Sequence, residues 1–465
     1  MENRISEEGE SSRPNYPEPM LEFTEEKRNI IKDQLTIYAW EAEKLNEEAH
    51  HGSTRCIYRV LPRLKEINGN SYEPNMVCIG PYYYKQREVK FQMAEDCKRK
   101  CLGSLLVKKS TDQEMQINTY MSCLQRIKEL EEKIRKYYSE ELGVPTPVFL
   151  EMMVVDACFI IEIITMFRFG IGADFENSLA ALGWMVPYFY RDFLLLENRI
   201  PLFVLVEIYT LTQNISLEES KSLLVYFAWR FFSNGMKRSY FIARDIDDMD
   251  RVPVLHLLDL VRRSSIPSNI RRGKKISFDT TFIHCISKLR LAGMKVSQGK
   301  ALSPLEVKFK RGVIEMPNIA IDDLMRCVLL NCVAFEQCHQ RSSNYFSVYA
   351  TFLDCLVNTE EDIEYLRERN VIDNYLANDK EAAEFINHAG KDLVLNPRDD
   401  FYLWQLFEDV DRHYRNRWKW KWASFERAYI DKPWLLLSAA GGILLVVATS
   451  FQAVMAFLTY KYKNC

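Results

Sequence analysis

One uncharged apolar run near the C-terminus constrains this chain more than any other feature. Residues 433–460, PWLLLSAAGGILLVVATSFQAVMAFLTY, contain no charged side chain and a single amide, Gln452. About 20 apolar residues suffice to cross the hydrocarbon core of a bilayer as a helix, and a helix pairs its backbone polar groups internally, as hydrocarbon requires. The alternative is a core helix of a soluble domain, but such helices are rarely uncharged for this length. The run therefore predicts one transmembrane helix, 433–460, and a short tail, 461–465.

Basic residues flank this predicted helix unequally. The residues before it include Arg412, Arg415, Arg417, Lys419, Lys421, Arg427 and Lys432, whereas those after it include Lys461 and Lys463. Because cytoplasmic flanks carry the excess of Lys and Arg, we expect the bulk of the chain in the cytosol. The sequon Asn214-Ile215-Ser216 favours the opposite orientation. A long span with bulky side chains favours a thick bilayer, such as the plasma membrane.

Composition limits the remaining classes of protein. The 465 residues are 48% hydrophobic and 27% charged, which is typical of a globular chain with a substantial core. The net charge of −3 gives no general attraction to nucleic acid, which is therefore not an expected partner. The twelve cysteines include no C-x-x-C pair, and we interpret them as buried thiols. The acidic N-terminus has no apolar run, so residues 1–30 are predicted to be a disordered tail rather than a signal peptide.

Apolar residues recur at helical spacing along most of the chain. Helices are predicted over 24–48, 90–109, 113–138, 147–168, 189–211, 217–232, 254–263, 322–340, 345–357, 360–369 and 380–388. Pro201 must kink or restart the helix in which it lies. Short strands are expected within 56–84 and on both sides of Arg311-Gly312. The expected fold class is mainly α: a large helical domain, 31–400, with a few short β-strands, plus one C-terminal transmembrane helix.

Motifs that hold cofactors or metals do not occur in the sequence. It contains no G-x-x-x-x-G-K-[ST], no G-x-G-x-x-G after a strand, no H-E-x-x-H and no G-x-S-x-G. The seven histidines include no i, i+4 pair with metal-ligand spacing. We therefore expect no cofactor and no metal, and the balance of the sequence is against an enzyme.

The string RDFLLLENRIP, 191–201, is the most unusual in composition. It places Arg191, Asp192, Glu197 and Arg199 among leucines. Two carboxylates in an apolar setting can have shifted pKa values and perform acid–base chemistry. The two arginines can instead neutralise them in a structural charge network, because buried charges must be paired. The structural network is the favoured interpretation.

A basic segment, 261–278, divides the predicted domain into two halves. It is punctuated by Ser, Pro and Gly, which predicts a surface loop. Its cations are Arg262, Arg263, Arg271, Arg272, Lys274 and Lys275. Such a cluster can bind anionic lipid or act as a localisation signal, although arginines in a loop are more often simply solvated.

An aromatic and basic helix, 401–432, is predicted just before the membrane. Trp418, Trp422, Phe425 and Tyr429 follow one another at i, i+4, i+7 and i+11, so they share one helical face. With Trp434 they are candidates for the membrane interface, where aromatic side chains and cations both lie favourably. The alternative is that this face docks on the globular domain. Within the span, Ser438 and Gly442 have a small-xxx-small spacing that favours pairing with a second copy.

Seven segments resemble, in order, those of one plant-specific family of membrane proteins. They are CIYRV (56–60), YEPNMVCIGPYYY (72–84), MMVVDACFIIEI (152–163), RDFLLLENRIP (191–201), NCVAFEQC (331–338), DIEYLRERNVIDNYL (362–376) and the Trp-rich segment that leads into KPW and the apolar run. The chain is identified by them as a member of the domain of unknown function 247 family, also called uncharacterised protein family 0481. The resemblance implies a C-terminal anchor and supplies no reaction or cofactor. Some grass relatives are pollen-side determinants of self-incompatibility, which implies a recognition role.

Three functions follow as hypotheses. The leading one is a membrane-anchored recognition or signalling protein that acts through contacts with an unidentified protein partner. The second is a membrane-tethered enzyme of unrecognised chemistry that uses Asp156, Asp192 or Glu197. The third is a protein that binds anionic lipid or nucleic acid through the basic segment.

Overall fold

The computed structural model describes residues 24–51, 54–166, 180–236, 253–267, 274–275, 282–301, 303–339, 342–395, 400–425 and 433–463. These fall into two compact units, Met1–Thr54 and Arg55–Cys465. The first unit contains helix α1, Glu25–His51, whose N-terminus carries Glu25 and Glu26 where the helix dipole favours acidic side chains. Of the predicted tail 1–30, residues 25–30 therefore belong to a helix, and 1–23 lie outside the described residues.

The second unit is mainly helical in its described part, which confirms the predicted fold class. Its helices are α2 Pro62–Asn68, α3 Arg87–Lys90, α4 Gln92–Lys109, α5 Gln113–Lys136, α6 Thr146–Met166, α7 Val186–Asp192, α8 Leu202–Gln213, α9 Leu217–Gly235, α10 Leu257–Ser265, α11 Ile286–Leu291, α12 Asp323–Cys338, α13 Tyr345–Leu356, α14 Glu360–Glu368, α15 Asp379–Gly390, α16 Trp404–Tyr414, α17 Arg417–Phe425 and α18 Pro433–Lys463. The predicted break at Pro201 is observed: α7 ends nine residues before Pro201, and α8 begins directly after it.

The strands are short and form three small sheets among the described residues. They are β1 Lys274–Lys275, β2 Lys295–Gln298, β3 Lys308–Lys310, β4 Val313–Met316, β5 Ile319–Ile321, β6 Ile372–Asn374 and β7 Asp400–Phe401. The pairings are β1 with β7, β5 with β6, and the order β2-β4-β3 in the largest sheet. The predicted hairpin is confirmed: β3 and β4 are antiparallel about Arg311-Gly312, whose φ angles of 51° and 87° are those of a type I′ turn.

Helix α6 lies at the centre of the N-terminal half and packs against α4, α5, α8 and α9. Most of its apolar residues from Phe149 to Ile164 are buried, which makes it a core helix. Phe159 of α6 meets Phe189 and Phe193 edge to face, with ring centroids 5.3 and 5.9 Å apart. The C-terminal half has a second helical group in which α13 packs against both α12 and α15.

The expectation of short strands within 56–84 is wrong. The segment forms helix α2 and two 3₁₀ turns, and its sole β contact among the described residues is an isolated bridge between Ile57 and Tyr138. Residues 73–80 are extended or bent without a partner strand. Distant side chains accept their N–H groups, as described below.

Helix α18 contains the predicted transmembrane segment. Ala440–Tyr460 is long and apolar enough to span a membrane, and none of its most apolar stretch is buried inside the protein. The predicted juxtamembrane helix, 401–432, is instead divided between α16 and α17 in its described part. Helix α16 buries Leu406, Phe407 and Val410 in the core, so it belongs to the globular domain.

Candidate functional site: a buried polar cluster

The string 191–201 lies between α7 and α8 and is almost wholly buried. Asp192, at the end of α7, accepts hydrogen bonds from three consecutive backbone N–H groups: Asn75 at 3.1 Å, Met76 at 2.7 Å and Val77 at 2.9 Å. Arg191 donates to the same carboxylate at 2.9 Å. Asp192 therefore satisfies three consecutive backbone donors of a bent segment that has no partner strand.

Two further side chains continue this arrangement along the same segment. Asn198 accepts from the N–H of Ile79 at 2.6 Å and donates to the carbonyl of Val77 at 2.9 Å. Asp156, from the middle of α6, accepts from the N–H of Gly80 at 2.8 Å. A Cβ at Gly80 would lie 2.3 Å from the carbonyl oxygen of Arg199, and its φ is +71°, so the position requires glycine.

Asp156 is the most strongly paired carboxylate of the cluster. Its side chain is fully buried and contacts Arg87 at 2.5 Å and Lys98 at 2.8 Å. Burial alone would raise the pKa of Asp156, but the charges of Arg87 and Lys98 outweigh burial and hold the pKa below its usual value. The carboxylate is therefore ionised and fully engaged with the protein's own cations.

Glu197 lies at the edge of the cluster. Its buried carboxylate accepts from the N–H of Val60 at 2.7 Å and from the Tyr83 hydroxyl at 3.0 Å. Lys65 and Arg59 pair with the same carboxylate at 2.6 and 3.1 Å, and each of these cationic side chains is 37% exposed. Glu197 thus joins CIYRV and YEPNMVCIGPYYY to the string 191–201.

The hydrogen bonds of Arg199 to described residues go to backbone carbonyls and a histidine rather than to a carboxylate. It donates to the carbonyls of Leu194 at 2.8 Å, Leu195 at 2.9 Å and Leu196 at 3.1 Å, and it contacts Nδ1 of His256 at 2.9 Å. Burial lowers the pKa of Arg199 to about 9. The backbone carbonyls, rather than Asp192 or Glu197, thus satisfy this guanidinium.

His256 caps helix α10 in one defined tautomer. Its Nδ1 accepts from the N–H of Asp259 at 3.1 Å and from Arg199, so the proton must lie on Nε2, which donates to the carbonyl of Cys56 at 3.1 Å. Burial and the neighbouring Arg199 charge hold the pKa of His256 well below its usual value. Protonation at Nδ1 would place a third donor between two donors.

These contacts favour a structural role for the polar cluster over a catalytic one. Burial raises the pKa of Asp192, although its three backbone donors oppose this. The carboxylates of Asp156, Asp192 and Glu197 already accept hydrogen bonds from within the chain, so an external substrate would have to displace those donors. The structure brings Arg191 to Asp192 as the sequence suggests, but it leaves Glu197 and Arg199 to other partners. Sequence reasoning overlooked Asn198 within the string. It also missed Lys65, Arg87, Lys98 and His256, because no local pattern links them to residues 191–201.

A further motif joins the cluster from the C-terminal half. Asn331 of α12 accepts from the N–H of Leu196 at 2.8 Å. Nearby on α12, Glu336 accepts from the N–H groups of Phe346 and Ser347 at 3.2 and 2.8 Å and pairs with Arg262 at 2.9 Å. The five segments that carry the family resemblance from 56 to 338 therefore contact one another in space.

The surface-loop interpretation of 261–278 is wrong for its first residues. Arg262 and Arg263 belong to α10, where the Arg262 side chain is buried on Glu336 and that of Arg263 pairs with Asp259 at 2.9 Å. Arg262 therefore cannot offer its charge to an external anion. Lys274 and Lys275 form β1, opposite β7. Arg271 and Arg272 lie outside the described residues.

Helix α17 docks on the domain with one face and exposes the other. Ala423 is buried and lies 3.0 Å from where a Cβ of Gly293 would be, and Trp420 donates to the carbonyl of Tyr414 at 2.6 Å. The predicted stripe is on the opposite side: Trp418, Trp422 and Phe425 are 78, 65 and 46% exposed. Trp434, at the start of α18, is 67% exposed, and Tyr429 lies outside the described residues.

Among the described residues there is no group of three or more His, Cys, Asp or Glu side chains that could hold a metal ion. All of the cysteines described are free thiols, most of them buried. Burial raises the pKa of Cys78 to about 11, which makes it an unreactive thiol at neutral pH.

The fold and the cluster define a mainly α protein whose polar core joins its two halves and whose last helix is apolar and exposed. The chain belongs to the DUF247 family, described as a plant protein of unknown function, whose model matches residues 57–448. It is 30% identical to the UPF0481 protein At3g47200 of Arabidopsis thaliana over 430 residues, 87% of each chain. It is 23% identical to the putative UPF0481 protein At3g02645 of the same plant, over 92% of this chain and 94% of that one. No solved structure matches the chain significantly.

Proposed function

We propose that this protein is a single-pass, C-terminally anchored membrane protein that presents its helical domain for recognition of another protein. The observation that carries the proposal is the exposure of the apolar segment Ala440–Tyr460, none of whose most apolar stretch is covered by the rest of the chain. Leu444, Val447 and Phe451 are 72, 62 and 66% exposed. A continuous apolar surface of this kind is stable when lipid covers it.

The orientation follows from charge. The described residues of α17 carry three cations and no acid, and seven residues separate α17 from α18. This excess supports a cytosolic domain and a tail, 461–465, on the other side. The length of the span supports the plasma membrane as its location.

Recognition, rather than catalysis, is supported by the way the polar groups are used. The carboxylates of Asp156, Asp192 and Glu197 are occupied by donors of the same chain. Apolar side chains, in contrast, are exposed on the first turns of α5, where Ile117 and Met121 stand one turn apart at 54 and 58% exposure. We assign this pair to the contact with the protein partner.

The membrane part of the proposal is tested with the tagged full chain in its native tissue. The chain should remain with membranes after alkaline carbonate extraction, and protease added to sealed vesicles should digest the domain. Release by carbonate would contradict the anchor. Digestion of the domain only after the vesicles are opened would contradict the cytosolic orientation.

The recognition part is tested by proximity labelling of the same tagged chain. Ile117→Lys with Met121→Lys should remove specific neighbours from the labelled set without changing the amount of protein in membranes. The matched control is Met93→Lys, a 49% exposed residue on α4. If both variants label the same neighbours as the unmodified chain, α5 is not the recognition surface.

A further inference from the structure

The three-stranded sheet β2-β4-β3 has one apolar and one cationic face. Neighbouring residues across it form two rows, Lys308–Glu315–Ser297 and Lys310–Val313–Lys295. Side chains alternate along a strand, so these six residues share a face, whereas Phe309, Ile314 and Val296 share the opposite one. The strand pattern agrees, since Lys295, Lys308 and Lys310 are exposed and Ile314 and Val296 are buried.

The cationic face continues into the turn of the hairpin. Arg311 is exposed next to Lys310, and neither makes an ion pair within the described part of the chain. Lys308 is paired with Glu306 at 2.5 Å, and Glu315 is the single acid among the six residues of the face. We call Lys295, Lys308, Lys310 and Arg311 the cationic sheet face.

This sheet packs against α16 and lies next to α17, the two helices that precede α18. On its apolar face, Phe309 meets the ring of His413 on α16 with centroids 5.7 Å apart. The hairpin turn packs against the same histidine, since a Cβ at Gly312 would be 2.8 Å from the imidazole ring of His413. Just before β2, Gly293 lies against Ala423 of α17. The sheet, α16 and α17 therefore form one packed region, in which the sheet and α17 each carry exposed cations.

Chain length limits how far this region can lie from the bilayer. Eight peptide units join Phe425 at the end of α17 to Pro433 at the start of α18. At most about 3.6 Å per residue, they reach roughly 29 Å. Arg417, Lys419 and Lys421 of α17 are also exposed, so cations are available both on the sheet and on the helix before the tether.

We propose that the cationic sheet face binds the anionic phospholipid headgroups of the leaflet from which α18 emerges. The domain then lies against the membrane through the sheet as well as through its anchor. The inference rests on the proposed membrane anchor. It adds that anionic lipid covers the cationic sheet face, a surface to which the anchor alone assigns no role. Charge complementarity and the short tether both select an anionic lipid surface.

The test uses the purified full chain in nanodiscs of phosphatidylcholine, with or without phosphatidylserine. The rate at which an acetylating reagent modifies each lysine is measured by mass spectrometry. Lys310 should be acetylated about fivefold more slowly in the anionic discs, the factor expected for one cation held at such a surface. Lys128, exposed on α5, is the internal reference and should react equally in both.

Salt and charge reversal distinguish lipid binding from other causes. Protection of Lys310 should vanish near 1 M salt, where the screening length falls to about 3 Å. Lys308→Glu with Lys310→Glu should also expose Lys295, whereas Lys128→Glu with Lys136→Glu, two exposed lysines of α5, should leave Lys295 protected.

Failure of this inference differs from failure of the anchor. A chain that does not enter nanodiscs of either composition contradicts the anchor. A chain that enters both while Lys310 reacts at the same rate in each overturns the role of the cationic sheet face. If Lys310 reacts more slowly than Lys128 by the same factor in both discs, another occupant, such as a second copy of the chain, covers the face. That result overturns lipid binding as well.

Discussion

Two apolar helices of this chain, α6 and α18, have opposite surroundings. Helix α6 is buried on nearly all sides, yet it carries Asp156 and Glu162, which pair with Lys98 and Lys108 at 2.8 and 2.7 Å. Helix α18 has no charge over 433–460, and its apolar side chains are exposed. Both are rich in large aliphatic residues, so apolarity alone does not separate a core helix from a membrane span. The difference is whether the helix carries charges that the rest of the protein can pair.

The sharpest way to break the comparison is to remove the charge from α6. Asp156→Ala leaves Arg87 and Lys98 buried without their main partner and removes the acceptor for the N–H of Gly80. Breaking one side of a buried ion pair costs about 3–5 kcal/mol. We expect a loss of this size in the free energy of unfolding, measured by urea titration of the detergent-solubilised chain.

The matched control is Glu151→Ala, which removes an exposed carboxylate from the same helix. This variant should change the free energy of unfolding by less than about 0.5 kcal/mol. Equal effects of the two substitutions would mean that the ion pairs of Asp156 do not stabilise the N-terminal half of the domain.

The converse change places a charge in α18. Val447→Asp puts a carboxylate in the middle of the proposed span, at a cost of about 2.5–3.5 kcal/mol on the scale of translocon insertion. We expect a lower inserted fraction in microsomes and an unchanged free energy of unfolding for the domain, because Val447 is 62% exposed. Val447→Leu is the control and should insert normally. Destabilisation of the domain by Val447→Asp would show instead that α18 packs on it.

Local patterns explain why these two helices, and the hairpin between them, could be predicted from the sequence. Helical spacing and the run of uncharged residues are read within one segment, and the Arg311-Gly312 turn requires only two adjacent residues with positive φ. The missed features depend on distant partners. Segment 56–84 has the composition of strands, but Asp192, Asn198 and Asp156 replace the neighbouring strand. The burial of Arg262 likewise depends on a distant partner, Glu336, which lies two helices later in the chain.

The candidate site shows the same limit. The unusual string 191–201 could be singled out because charged residues stand among leucines, but the pairing within it could not. Arg199 binds nearby backbone carbonyls and the distant His256, and Glu197 binds Lys65 and Arg59, which are also far away in sequence. Helical spacing predicts that the aromatic residues of α17 share one face. It does not predict that this face is exposed, which follows from the docking of the opposite face through Ala423.

Acidification provides a third and smaller test of the comparison, because the domain contains a buried histidine and 433–460 contains no group that titrates near neutrality. The pKa of His256 is well below 6.5 in the folded domain and returns to about 6.5 on unfolding. Below pH 6.5 the unfolded chain binds a proton that the folded chain does not, so stability falls as pH falls. We expect a loss approaching about 1.4 kcal/mol per pH unit between pH 6.5 and 5.5, with no extraction of α18 from membranes.

His256→Gln isolates this contribution, because it keeps an acceptor and a donor but removes the titration. It should flatten the slope of unfolding free energy against pH, whereas His388→Gln, at an exposed position, should keep the slope. His413, whose pKa is also lowered by partial burial, adds to the slope in all three chains and cancels in the comparison. Asp192 and Glu336, whose pKa values burial raises, contribute a slope of the opposite sign, which is also common to all three chains and cancels. Equal slopes for His256→Gln and the unmodified chain would mean that His256 accepts a proton in the folded domain, contrary to its two donors at Nδ1.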